Sequence, residues 1–215
     1  MTTSDGWTAA VRDRLAPGRL LPLGTAAEEA WITERAVRGA LGRTAAAVRG
    51  VVPGTLRIGP ADAPDAPDSG ALLITASFGA VAGRALPELT RELRAALLAA
   101  AEDGLGLVVD AVDLRVTELL DTAPPEPDAG AAPPPGPTSP ATDDPVALAA
   151  LGVAGVAAVT DTLGPPVRRG PDGVRVELAV TAGARPLDVA RAVRTTVTAV
   201  APEGAAVTVV VSDLR

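Results

Sequence analysis

Two stretches of this chain, one hundred positions apart, align without a gap. PELTRELRAALLAAAEDGLGLVVDAVDLR runs from Pro87 to Arg115, and LDVARAVRTTVTAVAPEGAAVTVVVSDLR from Leu187 to Arg215. They are identical at Arg91/Arg191, Arg94/Arg194, Ala99/Ala199, Ala101/Ala201, Gly104/Gly204, Val109/Val209 and the closing Asp-Leu-Arg. Leu89, Leu93 and Leu97 become Val189, Val193 and Val197, so the apolar phase is kept. A match that preserves both identity and phase reads as an internal repeat. It extends upstream with gaps. ALLITAS (Ala71 to Ser77) answers VRVELAV (Val174 to Val180), and Val48-Arg49-Gly50-Val51 answers Val153-Ala154-Gly155-Val156.

Between the copies lies TAPPEPDAGAAPPPGPTSPATDD, which has almost no large apolar residue and no basic one. Such a composition cannot bury enough surface to order itself. The sequence therefore predicts an N-terminal segment over 1–27, a first module over 28–120, a disordered linker over 121–144 and a second, degenerate module over 145–215.

Within a module the apolar period changes along the chain. Ile32, Ala36, Val37, Ala40, Leu41, Ala47 and Val48 recur at three- and four-residue intervals, which predicts a helix with Thr25 or Thr33 as its cap. A strand near Val51 to Ile58 follows, interrupted at Pro53-Gly54, and then a strand over Ala71 to Ser77. Pro87 suits the first turn of a second helix reaching to about Glu102, with Leu86, Leu89, Leu93 and Leu97 as its buried stripe. Leu105 to Val116 reads as a last strand. In the second copy the first helix shortens to Pro145–Val153. The order α-β-β-α-β gives an α+β fold, a two-layer sandwich built from tandem modules. Three strands leave exposed sheet edges, and a module of this size is marginal alone. Both points favour two copies pairing edge to edge or packing face to face.

The missing residue types exclude most chemistry. There is no His, Cys, Lys, Tyr, Asn or Gln, and all 19 basic residues are Arg. Imidazole catalysis, thiolates, disulfides, thiolate zinc sites, Schiff bases and a P-loop lysine are all ruled out. Carboxylate-only catalysis remains a minority reading, with Asp113 and Asp213 its only candidates, and the expectation is no enzyme, cofactor or metal. The net charge of −7 lies in loops: Asp121, Glu126, Asp128, Asp143 and Asp144 in the linker, and Asp62, Asp65 and Asp68 in a Pro-rich loop. That argues against nucleic-acid binding. The N-terminus lacks a signal-peptide pattern and no apolar run reaches a membrane span, so a cytoplasmic chain with no direct membrane span is expected. GALG (Gly39–Gly42) and GVAG (Gly152–Gly155) lack the setting of a phosphate loop.

A helix ending Val48-Arg49-Gly50-Val51, a strand reaching the small-residue turn at Phe78-Gly79, and a helix followed by a strand ending Val112-Asp113-Leu114-Arg115-Val116 together resemble the alkaline shock protein / general stress protein family of bacterial envelope stress response proteins. The family usually has Tyr where this chain has Phe78. The resemblance covers Ala30 to Leu120, and Pro145 to Arg215 in degenerate form. It implies a non-enzymatic role in envelope homeostasis through self-association into an oligomer and recruitment by a small membrane-anchored partner protein. That would place the chain peripherally at the inner face of the membrane. The duplication departs from the single-module pattern, since a built-in second copy can replace a partner subunit.

The residues that would carry such contacts are arginines: Arg35, Arg38 and Arg49 near one face of the first helix, and the repeated pairs Arg91/Arg94 and Arg191/Arg194. Each also reads as an ordinary solvated helix face. Trp7 and Trp31 flank the apolar GRLLPLG, either packing on the first module or docking a partner. A second functional reading is a regulatory module that binds a small molecule between the copies.

Overall fold

A computed structural model describes residues 18–61, 71–122, 142–171 and 173–215. Trp7, the loop residues 62–70 and the linker residues 123–141 lie outside the described residues. In chain order the elements are β1 (Leu20–Pro22), a 3-10 turn (Ala26–Glu28), β2 (Ala30–Thr33), α1 (Glu34–Ala47), β3 (Val51–Pro60) and β4 (Leu72–Val81). Next come α2 (Leu86–Ala99), a π-helical turn (Ala100–Leu105), β5 (Val109–Leu120), α3 (Pro145–Leu151) and β6 (Val156–Val159). The chain closes with β7 (Val167–Gly170), β8 (Gly173–Val180), α4 (Pro186–Thr198) and β9 (Val207–Leu214). Among the described residues four helices lie with two mixed sheets, which makes the fold α+β.

The smaller sheet has the order β3-β4-β5, with β3 antiparallel and β5 parallel to β4. The larger runs β1-β2-β9-β8-β6, and β7 shares the outer edge of β8 with β6. There β8 and β9 are parallel, while β6 and β7 run antiparallel to β8. The α-β-β-α-β order thus occurs on both sides of the linker, with β7 added to the second. Individual backbone bonds recur as well. Val81 N–H donates to Gly50 and Thr181 N–H to Gly155; Ala82 N–H donates to Leu120 and Ala182 N–H to Arg215; Leu89 N–H donates to Ala85 and Val189 N–H to Arg185. Gly50 and Gly155 both sit at φ 89°, a backbone state that glycine adopts without strain.

The helix predicted from Ile32 begins at Glu34. Thr33 caps it by accepting from Ala36 N–H at 3.3 Å. Ile32 belongs instead to β2, which pairs parallel with β9: Ala30 opposite Val209, Trp31 opposite Val210, Ile32 opposite Val211. Residues just ahead of the first helix therefore complete the sheet of the second half, and the division of the sheets does not follow the linker. In α2, Leu89, Leu93 and Leu97 are buried, while Leu86 at the first helical position is 37% exposed. Helix α1 lies against β3 of one sheet and against β2 and β9 of the other. One contiguous core results, joining Leu41, Phe78 and Leu93 to Leu178, Val193 and Val209. Many small Val, Leu and Ala contacts fill it, as an interior nearly free of aromatics requires.

Candidate functional site

The seven arginines singled out in the sequence do not form one patch. Arg35 and Arg38 are exposed on α1 and line a groove of about 480 Å³ together with Gly39 and Gly42 of the same helix and Gly54 of β3. Arg49 follows the helix and borders a separate hollow of about 640 Å³ with Gly50, Gly83 and Arg84. The Arg84 guanidinium bridges its far side, donating to the Arg49 carbonyl at 3.2 Å and to Glu92 at 2.6 Å. Arg91 is exposed on α2, and Arg94 donates from Nε to the Val112 carbonyl at 3.2 Å.

The equivalent pair on α4 is engaged inside the fold. Arg191 grips Glu28 with two bonds of 3.0 and 2.6 Å, and Arg194 donates to the Ala27 carbonyl at 2.7 Å. Together they clamp the 3-10 turn that precedes β2. The same positions of a repeated pattern thus do different work, because α4 has the N-terminal turn beside it and α2 does not. The Arg191 bond holds the Glu28 carboxyl below its ordinary pKa, against a smaller opposing effect of burial. Asp144, the N-cap of α3, is lowered likewise by a bidentate bond to Arg169, with Val146 N–H as a further donor. A carboxylate with a lowered folded pKa contributes stability that is complete above its unfolded pKa and is lost as pH falls through the folded value. Stability of the chain is therefore expected to fall below about pH 4. Arg191→Ala is expected to make that acid limb shallower and to cost less than about 1 kcal/mol at neutral pH, since the pair is half-exposed. Urea titrations at several pH values check both.

Where the halves meet, the start of α4 seats on the π-helical turn. Leu187 is buried against two glycines, Gly24 and Gly106, and Gly24 N–H donates to the Gly106 carbonyl at 2.8 Å. Arg185 adds a bond from Nη2 to the Glu102 carbonyl at 2.9 Å. Beside this joint is a hollow of about 410 Å³, lined by α1, the π-helical turn and the turn ahead of α4. Arg43 is its one ionisable side chain among the described residues, with Thr44 and Thr181 as hydroxyls. It offers charge and a small-residue wall but no acid–base pair.

Asp113 and Asp213 lie on different sheets. Asp113 is exposed on β5 opposite Thr75, and Asp213 accepts from Arg215 Nε at 3.0 Å on β9. Among the described residues no cluster of acids suits a metal ion, and no helix is long and apolar enough to cross a membrane.

The sequence reading passed over Glu177, whose side chain is fully buried in β8. Its carboxylate accepts from Thr162 N–H, Leu163 N–H and the Thr160 hydroxyl, each at 2.9 Å. Thr160 shares a 2.6 Å bond with the Ser212 hydroxyl, and the Ser212 carbonyl accepts from Thr33 at 3.0 Å. The signal was present: one acid inside VRVELAV, a strand otherwise apolar but for Arg175, must either break the strand pattern or find buried donors. No protein-family model, curated protein or solved structure matches the chain.

Proposed function

We propose that this chain is a non-enzymatic scaffold of the envelope stress response, two alkaline-shock-like modules joined in one polypeptide. It acts by self-association and by recruitment to a small membrane-anchored protein, which would hold an otherwise cytoplasmic chain at the membrane's inner face. The observation that carries this reading is the repeat itself: nine identities over the gapless alignment, with the same backbone bonds recurring at the two turns. The absence of His, Cys and Lys and the separation of Asp113 from Asp213 support a role without catalysis. The negative net charge of −7 supports a protein partner rather than nucleic acid. The proposed docking surface is the set of exposed arginines of the first half, Arg35, Arg38, Arg49, Arg91 and Arg94. A tagged pull-down from detergent-solubilised native cells tests it. Recovery of a small integral membrane protein, lost on Arg35→Glu with Arg38→Glu or on Arg91→Glu, is the expected result. A strictly monomeric chain that recovers nothing from the membrane fraction overturns it.

A second reading is favoured by the 410 Å³ hollow between the halves, which has the size of a small-ligand site. Under it the chain is a regulatory module for an anionic metabolite held by Arg43. A thermal-shift screen with carboxylates and phosphates is expected to raise Tm for the chain and not for Arg43→Ala. No shift with any of them dismisses this reading.

A further inference from the structure

Among the described residues β5 has a partner on one side only. Its ladder with β4 is broken twice, between Val109 and Ala111 and between Val116 and Glu118. The stretch from Ala111 to Val116 is regular. There Val112, Leu114 and Val116 lie opposite Ile74, Ala76 and Phe78, on the face turned to the core, while Asp113 and Arg115 lie opposite Thr75 and Ser77 and are exposed. Leu119, at the end of the same strand, is 77% exposed. A long strand with one unpaired edge is a template for another strand.

We propose that a second copy of this chain occupies that edge, the two β5 strands pairing antiparallel about a two-fold axis through Leu114. The proposal rests on the self-association reading and gives it a surface. The charges select the register. A two-fold axis perpendicular to the sheet keeps each residue opposite one on the same face, so the axis must pass through a residue. Centred on Asp113 it would set Asp113 against itself, and centred on Arg115 it would set Arg115 against itself. Centred on Leu114 it sets Asp113 opposite Arg115 twice, Val112 opposite Val116 twice, and Leu114 opposite its own copy. No other centre between Ala111 and Val116 pairs opposite charges. The like-charge contact this register creates, Asp110 opposite Glu118 twice, falls outside the regular stretch on exposed residues, where water screens it. The Val112 carbonyl already accepts from Arg94, and its second lone pair is open to the second copy's Val116 N–H. Two three-stranded sheets would then form one continuous six-stranded sheet.

The test is sedimentation velocity of the full chain over a concentration series. Asp113→Arg and Arg115→Asp each convert two attractive pairs into repulsive ones and are expected to weaken self-association ~10-fold or more. The double swap restores opposite-sign pairs and is expected to recover association. Both positions are exposed, so circular dichroism of the variants should match the parent. The chain has no cysteine, so Leu114→Cys introduces a single thiol. Across the axis its Cα atoms would lie about 5.5 Å apart, within disulfide reach. Oxidation is expected to give a covalent dimer, whereas Val52→Cys on β3 stays monomeric. A chain that associates but ignores the swaps, or whose Leu114→Cys variant does not cross-link, overturns the β5 pairing and leaves self-association standing. A chain that stays monomeric at every concentration overturns both.

Discussion

Replacing Glu177 by alanine lowers the stability of the chain by about 3 kcal/mol, read in a thermal scan as a fall in Tm of about 9 °C. The loss does not come from apolar contact. The buried carboxylate accepts from two backbone N–H groups and one hydroxyl; removing it takes the acceptor from the Thr162 and Leu163 N–H groups, while the Thr160 hydroxyl keeps Ser212. Each of these two N–H groups loses a hydrogen bond to a charged acceptor, worth about 1.5 kcal/mol. The effect spreads, because Thr160 also holds Ser212, and the Ser212 carbonyl accepts from Thr33, the residue that caps α1. A polar thread thus runs from the loop after β6, through β9, to the start of the first half. Glu177→Gln separates charge from connectivity. It keeps one acceptor and turns the other position into a donor facing an N–H group, so about half of the loss is expected. If Glu177→Ala is as stable as the parent, or if Glu177→Gln is the worse of the two, the network does not organise this end of the sheet.

The likeness of Pro87–Arg115 to Leu187–Arg215 was legible because identity and apolar phase coincide over an unbroken stretch, and Pro87 marked the start of α2, while the strand read from Leu105 to Val116 lies four residues later, at Val109–Leu120. Thr33 could be named as a cap for the same reason: a hydroxyl just ahead of a helical period has one obvious use. What the sequence did not disclose depends on neighbours far along the chain. Ile32 stands four residues before Ala36, a spacing that fits a helix as well as a strand, and its pairing with Val211 has no local trace. Strand β7 is short, basic and glycine-ended, and it forms because half of the outer edge of β8 would otherwise lie bare. Arg91/Arg94 and Arg191/Arg194 match in sequence but differ in partner, since Glu28 and Ala27 approach only α4. α2 was expected to end near Glu102. It gives way after Ala99 to a π-helical turn that Gly106 closes, its N–H donating to the Ala101 and Glu102 carbonyls. Period alone does not foretell that widening.

Gly106→Ala is expected to destabilise the chain by about 4 kcal/mol, because two separate costs fall on one atom. The residue sits at φ 88°, where a side chain meets the following carbonyl, and that strain costs about 1–2 kcal/mol. A Cβ there would also clash with the Leu187 Cβ, and neither can yield without moving α4 off the π-helical turn. Overpacking of this kind costs about 1–3 kcal/mol. Gly83→Ala isolates the first cost. Its φ is 102°, and its Cβ would meet nothing within 4 Å. Denaturant titration of both variants should therefore give a loss at Gly106 at least twice that at Gly83; equal losses would mean that α4 is not seated as described. The joint also explains why the contact between the halves does not propagate. At the matching positions the second half has Ala206 in place of Gly106, and the first half has Pro87 in place of Leu187. The pocket that receives Leu187 exists once and points one way. A further copy cannot be added by repeating it, so the self-association proposed above would have to use another surface, such as the outer edge of β5.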